Sequence, residues 1–183
     1  MKRNNYVRQL TYMAFLIALE VVLNRFCSIN TLGLKIGFAF VPIVVAASLF
    51  GPVPAAIVYA ISDVVGALLF PMGPYHPGFT VSAVVMGAVW GIFLYKGADG
   101  ERAAVKWEMV KMFPNIIIPS LLNNLVMGLV VNTYWVSMLY GSKSYLGWAL
   151  YRLTEYATLI PLNILLVPVL LKMTDELRRF VRK

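Results

Sequence analysis

Apolar residues form six long segments along this chain, separated by short stretches rich in glycine, proline or charge. The segments lie at about residues 9–23, 36–50, 53–70, 79–95, 113–140 and 146–171. A helix needs about 20 apolar residues to cross a bilayer, and shorter or longer segments adapt by local thinning or tilt. The pattern therefore predicts an all-α membrane protein, a compact bundle of six transmembrane helices.

The composition favours a chain that lies almost wholly in the membrane. Hydrophobic residues occupy 60% of the 183 positions, whereas charged residues occupy 13%, which is about half the share usual in soluble domains. So few charges could not cover the surface of a soluble protein of this size. We expect one domain, residues 1–183. The first apolar run lacks a small-residue cleavage site, so we expect a spanning helix rather than a signal peptide.

The positive charges predict the orientation in the membrane. The net charge is +8, and 12 of the 16 lysines and arginines lie in the N-terminal segment, the linker at 96–111 or the C-terminal tail. Six crossings put these three segments on one side, and loops rich in lysine and arginine stay in the cytoplasm. Both termini should therefore be cytoplasmic. Nucleic acid is not an expected partner, because the sequence has no basic stripe with interleaved aromatic residues.

The fifth segment is long enough to span the membrane, yet it contains several amide side chains. Residues 112–142 include no charged residue, yet they hold four asparagines: Asn115, Asn123, Asn124 and Asn132. Amides are disfavoured against lipid unless they face protein or a cavity. Asn124, Gly128 and Asn132 share one helical face. A polar pocket inside the bundle is therefore predicted.

Further polar residues are expected at the outer end of the bundle. Arg152, Glu155 and Tyr156 share one face of the sixth segment, and that face would be costly against lipid. We predict an outer cavity for a planar anionic solute, where arginine holds carboxylate, aromatic rings stack and Asn and Asp side chains contact the ring edge. The predicted substrate-binding residues are Asn24, Arg25, Lys35, Asp63, Tyr75, His76, Asn124, Asn132, Tyr134, Trp135, Arg152, Glu155 and Tyr156.

Some of these residues also have purely structural interpretations. Arg152 and Glu155 could pair with each other, and Arg25 could extend to the lipid headgroups. His76 could be an ordinary loop residue. Asp63 could bond to a neighbouring helix, although an acid inside a span is a functional candidate by default. Three aromatic residues could be anchors at the membrane interface: Trp135, Tyr140 and Trp148.

The motifs of common enzymes are missing from the sequence. The chain has no P-loop pattern, no HExxH, no CxxC pair and no GxSxG elbow. Its one cysteine, Cys27, cannot form an intrachain disulfide. Asp63, His76 and Glu155 match no catalytic spacing. We therefore predict no catalytic residue, no bound metal and no cofactor.

Ala14 and Ala18 form a small-xxx-small pair in the inner half of the first segment, where another helix could approach closely. Such a pair, in a compact six-helix membrane protein without an ATPase signature, resembles the substrate-binding S component of energy-coupling factor (ECF) vitamin transporters. Four features resemble the folate-specific members: Leu23-Asn24-Arg25, Asn132-Thr133-Tyr134-Trp135, Leu139-Tyr140-Gly141, and Arg152 near the start of the sixth helix.

The resemblance implies a high-affinity folate-binding subunit in the cell membrane of a prokaryote. Its partners would be a transmembrane coupling protein, the T component, and two cytoplasmic ATPases that supply the energy for uptake. Ala14 and Ala18 would contact the coupling protein, and Arg25 would hold the glutamate carboxylates of folate. The outer loops at residues 27–36 and 71–79 would act as gates.

Two other functions stay open at this point. The chain could be an S component for another vitamin, such as riboflavin or thiamin, although the outer basic residues favour an anion over the thiamin cation. It could also be a proton-coupled secondary carrier in which Asp63 and Glu155 relay protons. The absence of an inverted repeat weighs against a carrier.

Overall fold

The computed structural model describes residues 2–31, 34–95, 109–141 and 143–181, so most of the linker predicted at 96–111 lies outside it. Helices dominate the described residues. They are α1 (Lys2–Arg25), α2 (Phe40–Phe50), α3 (Pro52–Leu69), α4 (Pro77–Leu94), α5 (Met109–Leu121), a π-helical segment (Leu122–Asn132), α6 (Thr133–Tyr140) and α7 (Tyr145–Val181). Because α5, the π-helical segment and α6 are continuous, we call them together the fifth span.

Within the described residues, five helical stretches are long and apolar enough to cross a membrane: Tyr6–Arg25, Pro52–Leu69, Pro77–Leu94, Phe113–Tyr140 and Tyr145–Leu177. The sixth predicted span corresponds to α2, an apolar helix of 11 residues. Large apolar side chains cover the outside of the bundle, and Leu68, Leu150 and Leu165 are 72%, 71% and 71% exposed. Such a surface suits a lipid environment rather than water. The predominantly helical architecture agrees with the prediction from the sequence.

A β-hairpin that the all-α prediction missed joins α1 to α2. Strand β1 (Ser28–Thr31) pairs antiparallel with β2 (Leu34–Gly37), with Ser28 opposite Gly37. A side chain at position 37 would meet the Cβ of Ser28 at 2.6 Å, so the close approach of the strands requires glycine there. Strands of four residues are too short to give a clear alternating pattern in the sequence. The hairpin matters because β2 carries Lys35.

Helices α3 and α4 pack with their backbones in direct contact. Gly87 and Gly91 lie one turn apart on α4, and a side chain at either position would collide with the backbone of α3. Small residues four positions apart permit such close approach between helices in a membrane. Gly51, with φ of 93°, separates α2 from α3 in a conformation that other residues rarely adopt. This compact unit supplies one wall of the interior.

The apolar core draws on α1, α2, α3, α4, α5 and α7, and α2 contributes the largest share of its buried residues. Ile43, Val44, Val58 and Val167 are fully buried in it, and Ile116 is 1% exposed. Ile43 also borders an interior cavity, so the core forms one boundary of that cavity.

Candidate ligand-binding cavity

A cavity of about 350 Å³ lies inside the bundle, within the range of roughly 300–1,000 Å³ that is typical of small-molecule sites. Residues from α1, the hairpin, α2, α3, α4, the fifth span and α7 line it, together with the loop at residues 70–76. Ten of the thirteen predicted binding residues are among them: Asn24, Arg25, Lys35, Asp63, Tyr75, Asn124, Asn132, Arg152, Glu155 and Tyr156. The structure therefore brings together residues that are far apart in the sequence.

Three predicted binding residues do not line the cavity: His76, Tyr134 and Trp135. The rings of His76 and Trp135 stack on each other with centroids 4.9 Å apart. The backbone N–H of Gly78 donates to Nδ1 of His76 at 3.0 Å, so His76 caps the start of α4. Tyr134 is 49% exposed and meets Trp135 edge to face.

The geometry of α6 explains where these aromatic side chains lie. Val136, Leu139 and Tyr140 line the cavity and follow the spacing of three and four residues that defines one helical face. Tyr134 therefore lies off that face, whereas Trp135 lies at its edge and packs against Gly78 and His76. Their contribution is packing around the start of α4 rather than direct contact with the cavity.

Trp148 also differs from expectation. It was a candidate anchor at the membrane interface, but its side chain is only 3% exposed. Its ring packs against those of Tyr140 and Tyr151, and the Lys143 ammonium lies 5.2 Å from its centroid. Trp148 therefore fixes the start of α7 against the end of α6, and it does not face lipid as an anchor would.

Arg152 is held in a closed network of buried side chains. Its Nε donates to Glu155 Oε2 at 3.1 Å, and its Nη1 donates to Thr133 Oγ1 at 3.3 Å. Its Nη2 donates to the hydroxyl of Tyr156. Arg152, Glu155 and Tyr156 are 6%, 5% and 3% exposed. The alternative in which Arg152 and Glu155 pair with each other thus describes the structure, and Arg152 is a framework residue of the cavity wall.

Arg25 has a different environment at the end of α1. Its guanidinium lies against Gly66 of α3, where an added side chain would approach Arg25 Nε at 2.8 Å. The Nε atom is buried and has no hydrogen-bond partner among the described residues. An arginine with an unfilled donor on a cavity wall is suited to bind a carboxylate, because charge-assisted bonds to guanidinium are strong and directional.

Lys35 reaches the same end of the cavity from β2. Burial, together with the positive charge of Arg25, lowers the pKa of Lys35 to about 8. Three carboxyl groups oppose this effect: Glu20, Asp63 and Glu155. Two cations that repel each other across a cavity form a natural site for an anionic ligand, which would relieve that repulsion.

Asp63 connects α3 to α4 and to the loop at 70–76. Thr80 Oγ1 donates to Asp63 Oδ2 at 2.6 Å, and the hydroxyl of Tyr75 lies 2.7 Å from Thr80 Oγ1. Because the Thr80 proton is used by Asp63, Tyr75 donates to Thr80. Asp63 thus bonds to a neighbouring helix and also lines the cavity. In the described part of the chain, no three His, Cys, Asp or Glu side chains could together hold a metal ion.

The inner end of the cavity is neutral and rich in amides. Asn163 lies about 16 Å from Arg152 along α7, from the helical rise per residue. Asn123 and Trp90 line the same cavity. Three amide oxygens in the lining are buried and have no partner among the described residues: Asn123 Oδ1, Asn132 Oδ1 and Asn163 Oδ1. The charged groups of the lining lie toward the hairpin end, so the cavity has two chemically distinct ends.

Asn123 and Asn163 line the cavity but were not among the predicted binding residues, and neither was Glu20, which bonds to the lining residue Asn24. Glu20 is fully buried, and its Oε1 accepts a bond from Asn24 Nδ2 at 2.8 Å. It is an acid inside an apolar segment, the same signal that identified Asp63. Asn123 was missed because an α-helical spacing favours Asn124, whereas the wider π-helical turn brings both amides to the cavity.

Ala14 and Ala18 lie away from the cavity. Both are exposed on the side of α1 that points away from the bundle, which we call the outer face of α1. They lie next to exposed apolar residues such as Leu10 and Phe15, each 64% exposed. Small side chains thus form a shallow depression between larger ones. Such a surface would let another helix approach closely.

Comparison with known proteins shows related sequences and a related structure. Residues 4–172 match the family described as ECF-type riboflavin transporter, S component. A folate transporter FolT of Clostridium novyi is 38% identical over 171 residues, covering 93% of this chain and 92% of that protein. A folate transporter FolT of Leuconostoc mesenteroides is 26% identical over 161 residues, covering 86% and 80%. A crystal structure of FolT bound with folic acid has a TM-score of 0.71 and 34% identity, covering 85% of this chain and 86% of that chain.

Proposed function

The chain belongs to the S-component family of ECF-type transporters, and from that premise we propose that it is a high-affinity folate-binding subunit for ATP-driven vitamin uptake. Two curated relatives are named folate transporters, and the related crystal structure contains folic acid. The relatives are transporter components rather than enzymes, so we assign no catalytic role to Asp63, His76 or Glu155.

The division of the cavity into a cationic end and a neutral end carries the proposal. Folate has a flat pterin ring at one end and a glutamate with two carboxylates at the other. Arg25 and Lys35 supply positive charge near the hairpin, where the carboxylates would bind. Asn123, Asn163 and Trp90 supply hydrogen-bonding groups and an aromatic ring further inside, where the pterin would bind.

Riboflavin is the second candidate, because the matching family is described by that vitamin. Riboflavin lacks carboxylates, so it would bring no anionic group to Arg25 and Lys35 inside the bundle. Thiamin is a cation and would be repelled by both residues. Membership of the S-component family also favours vitamin capture over the proton-coupled carrier. The arrangement of charges thus favours folate among these ligands.

The direct test is to purify the protein, denature it and identify released small molecules by mass spectrometry. We expect a folate. Titration of ligand-free protein with folic acid, riboflavin and thiamin should then give the tightest binding with folic acid. Release of riboflavin, together with no detectable binding of folic acid, would overturn the assignment.

We propose the topology that the sequence predicts, in which residues 1–183 form one domain with six spans and cytoplasmic termini. The short apolar helix α2 would be the sixth span. Its 11 residues would need a locally thinned bilayer or burial among the longer helices. The protein would then lie in the cell membrane of a prokaryote, with the hairpin and the loop at 70–76 on the outer side.

We further propose that the outer face of α1 binds a transmembrane coupling protein, the T component, which two cytoplasmic ATPases drive. Ala14 and Ala18 would be the contact points, because both are exposed on a helix whose neighbouring side chains are large and apolar. The chain itself has no P-loop pattern, so the energy for active uptake would have to come from such partners.

A further inference from the structure

The lining of the cavity contains hydrogen-bond acceptors without donors. The side-chain oxygens of Asn123, Asn132 and Asn163 are buried, and none has a partner among the described residues. All three residues line the cavity. Buried polar atoms without a partner are rare in folded proteins and call for an explanation. A ligand that brings N–H groups into the cavity would satisfy them.

The orientation of the Asn123 amide is fixed by its neighbour. Its Nδ2 donates to the backbone carbonyl of Met86 at 3.1 Å. A carbonyl oxygen can only accept, so Nδ2 and Oδ1 cannot exchange places without losing this bond. The side chain is 1% exposed. The adjacent Asn124 is held in the same way, since its Nδ2 donates to the backbone carbonyl of Ser120 at 2.8 Å.

We propose that Asn123 is a specificity-determining residue, whose Oδ1 accepts a hydrogen bond from the 2-amino group on the pterin ring of the ligand. This inference rests on the proposed folate function and deepens it. The pterin ring has a 2-amino group beside a ring N–H, which gives two adjacent donors. The isoalloxazine ring of riboflavin has a single N–H between two carbonyl oxygens, and those oxygens would face Asn123 Oδ1 without a proton between them.

The first experiment uses the unmodified protein and two ligands. The affinities of folic acid and of its 2-deamino analogue, in which hydrogen replaces the amino group, are measured by calorimetry. We expect the analogue to bind about 10- to 100-fold more weakly, because it lacks the amino donor that would pair with Asn123 Oδ1. Equal affinities would overturn the proposal. Since no variant is needed, this result does not depend on whether a substitution folds.

The second experiment repeats both titrations with Asn123→Leu. The variant should bind folic acid more weakly, and the difference between the two ligands should shrink to less than about threefold, because the acceptor is gone. Asn115→Leu is the matched control, since Asn115 belongs to the same span but is exposed and does not line the cavity. A full difference between the ligands in Asn123→Leu would overturn the assignment to this residue.

The two levels of the proposal fail in different ways. If folic acid binds but both ligands bind equally, the role of Asn123 is wrong and the folate function stands. If folic acid does not bind while riboflavin does, the folate function fails and the inference fails with it.

Discussion

Replacing Arg25 with alanine tests the charged end of the cavity most directly. Arg25 ends α1, its guanidinium lies against Gly66, and its Nε is buried without a partner in the described residues. If it binds a carboxylate of folate, Arg25→Ala removes a charge-assisted hydrogen bond and leaves the fold intact. Arg152 is a poorer replacement, because three of its five donors are bonded to Glu155, Thr133 and Tyr156, which hold its guanidinium in place.

The size of the effect follows from the bond that is lost. A hydrogen bond to a charged group contributes about 1.5–3 kcal/mol, which corresponds to a Kd about 10- to 150-fold higher. Lys35 should compensate for part of the loss. Arg25 lowers the pKa of Lys35, so removing Arg25 leaves Lys35 more fully protonated at neutral pH. We therefore expect a value in the lower half of this range.

The assay is a thermodynamic cycle between protein and ligand. Folic acid and its dimethyl ester, in which both carboxylates are neutral, are titrated into the unmodified protein and into Arg25→Ala. The substitution should weaken folic acid strongly and the ester by less than about threefold, because only the carboxylates contact Arg25. Gly66→Ala is a second perturbation, since its Cβ would displace the guanidinium without removing the charge.

Lys143→Ala is the matched control for the loss of a positive charge. Lys143 is exposed, contacts the rings of Trp148 and Tyr151 and does not line the cavity. It should leave the Kd for folic acid unchanged within about twofold. If Arg25→Ala weakened folic acid and the dimethyl ester equally, Arg25 would not bind the carboxylates and this reasoning would be refuted.

Three further predictions concern other parts of the molecule. Ala18→Trp should leave folic acid binding unchanged but abolish uptake by the assembled transporter. The control Leu165→Trp, on another exposed face, should retain uptake. Full uptake by Ala18→Trp would contradict the proposed docking face. Because the pKa of Lys35 is about 8, raising the pH from 7 to 9 removes its positive charge and should raise the Kd for folic acid about tenfold. In Lys35→Arg, which stays charged, this rise should be absent. Identical pH profiles of the two proteins would show that Lys35 does not bind the ligand. Gly91→Ala should destabilise the protein by about 1–3 kcal/mol, since its Cβ would collide with the backbone of α3, while Gly147→Ala, whose nearest neighbours would be 3.4 Å away, should keep its thermal midpoint.

The helical framework could be read from the sequence because lipid imposes a simple rule on each segment. A span must be long and apolar, and charge is allowed mainly at its ends. The fifth segment satisfied this rule while carrying Asn123, Asn124 and Asn132, so an interior polar face was predictable. The π-helical backbone was not, since nothing in those residues distinguishes it from an α-helix. That difference decided which amides reach the cavity.

The roles of individual polar residues were less predictable than their presence. The i, i+3 spacing of Arg152 and Glu155 allowed either an ion pair or a ligand contact. In the structure, Thr133 and Tyr156 hold the Arg152 guanidinium where it pairs with Glu155, and the spacing alone could not predict these two contacts. Glu20 could have been identified by the criterion applied to Asp63. Aromatic lining residues such as Trp90 gave no signal, because an apolar ring facing a cavity looks the same in sequence as one in a core.

The distribution of partners among the three cations of the lining decides how many charges the cavity can offer to a ligand. Arg152 forms a buried ion pair with Glu155, and separating such a pair costs about 3–5 kcal/mol, so a ligand carboxylate would gain little by displacing Glu155. Arg25 has a buried donor without a partner in the described residues, and Lys35 is kept from its ordinary pKa by burial and by Arg25. Two cations therefore remain for the ligand, at the end of the cavity that the hairpin covers. A ligand with two carboxylates at one end and a neutral ring at the other satisfies both, and it also brings its ring to the amides deeper in the bundle.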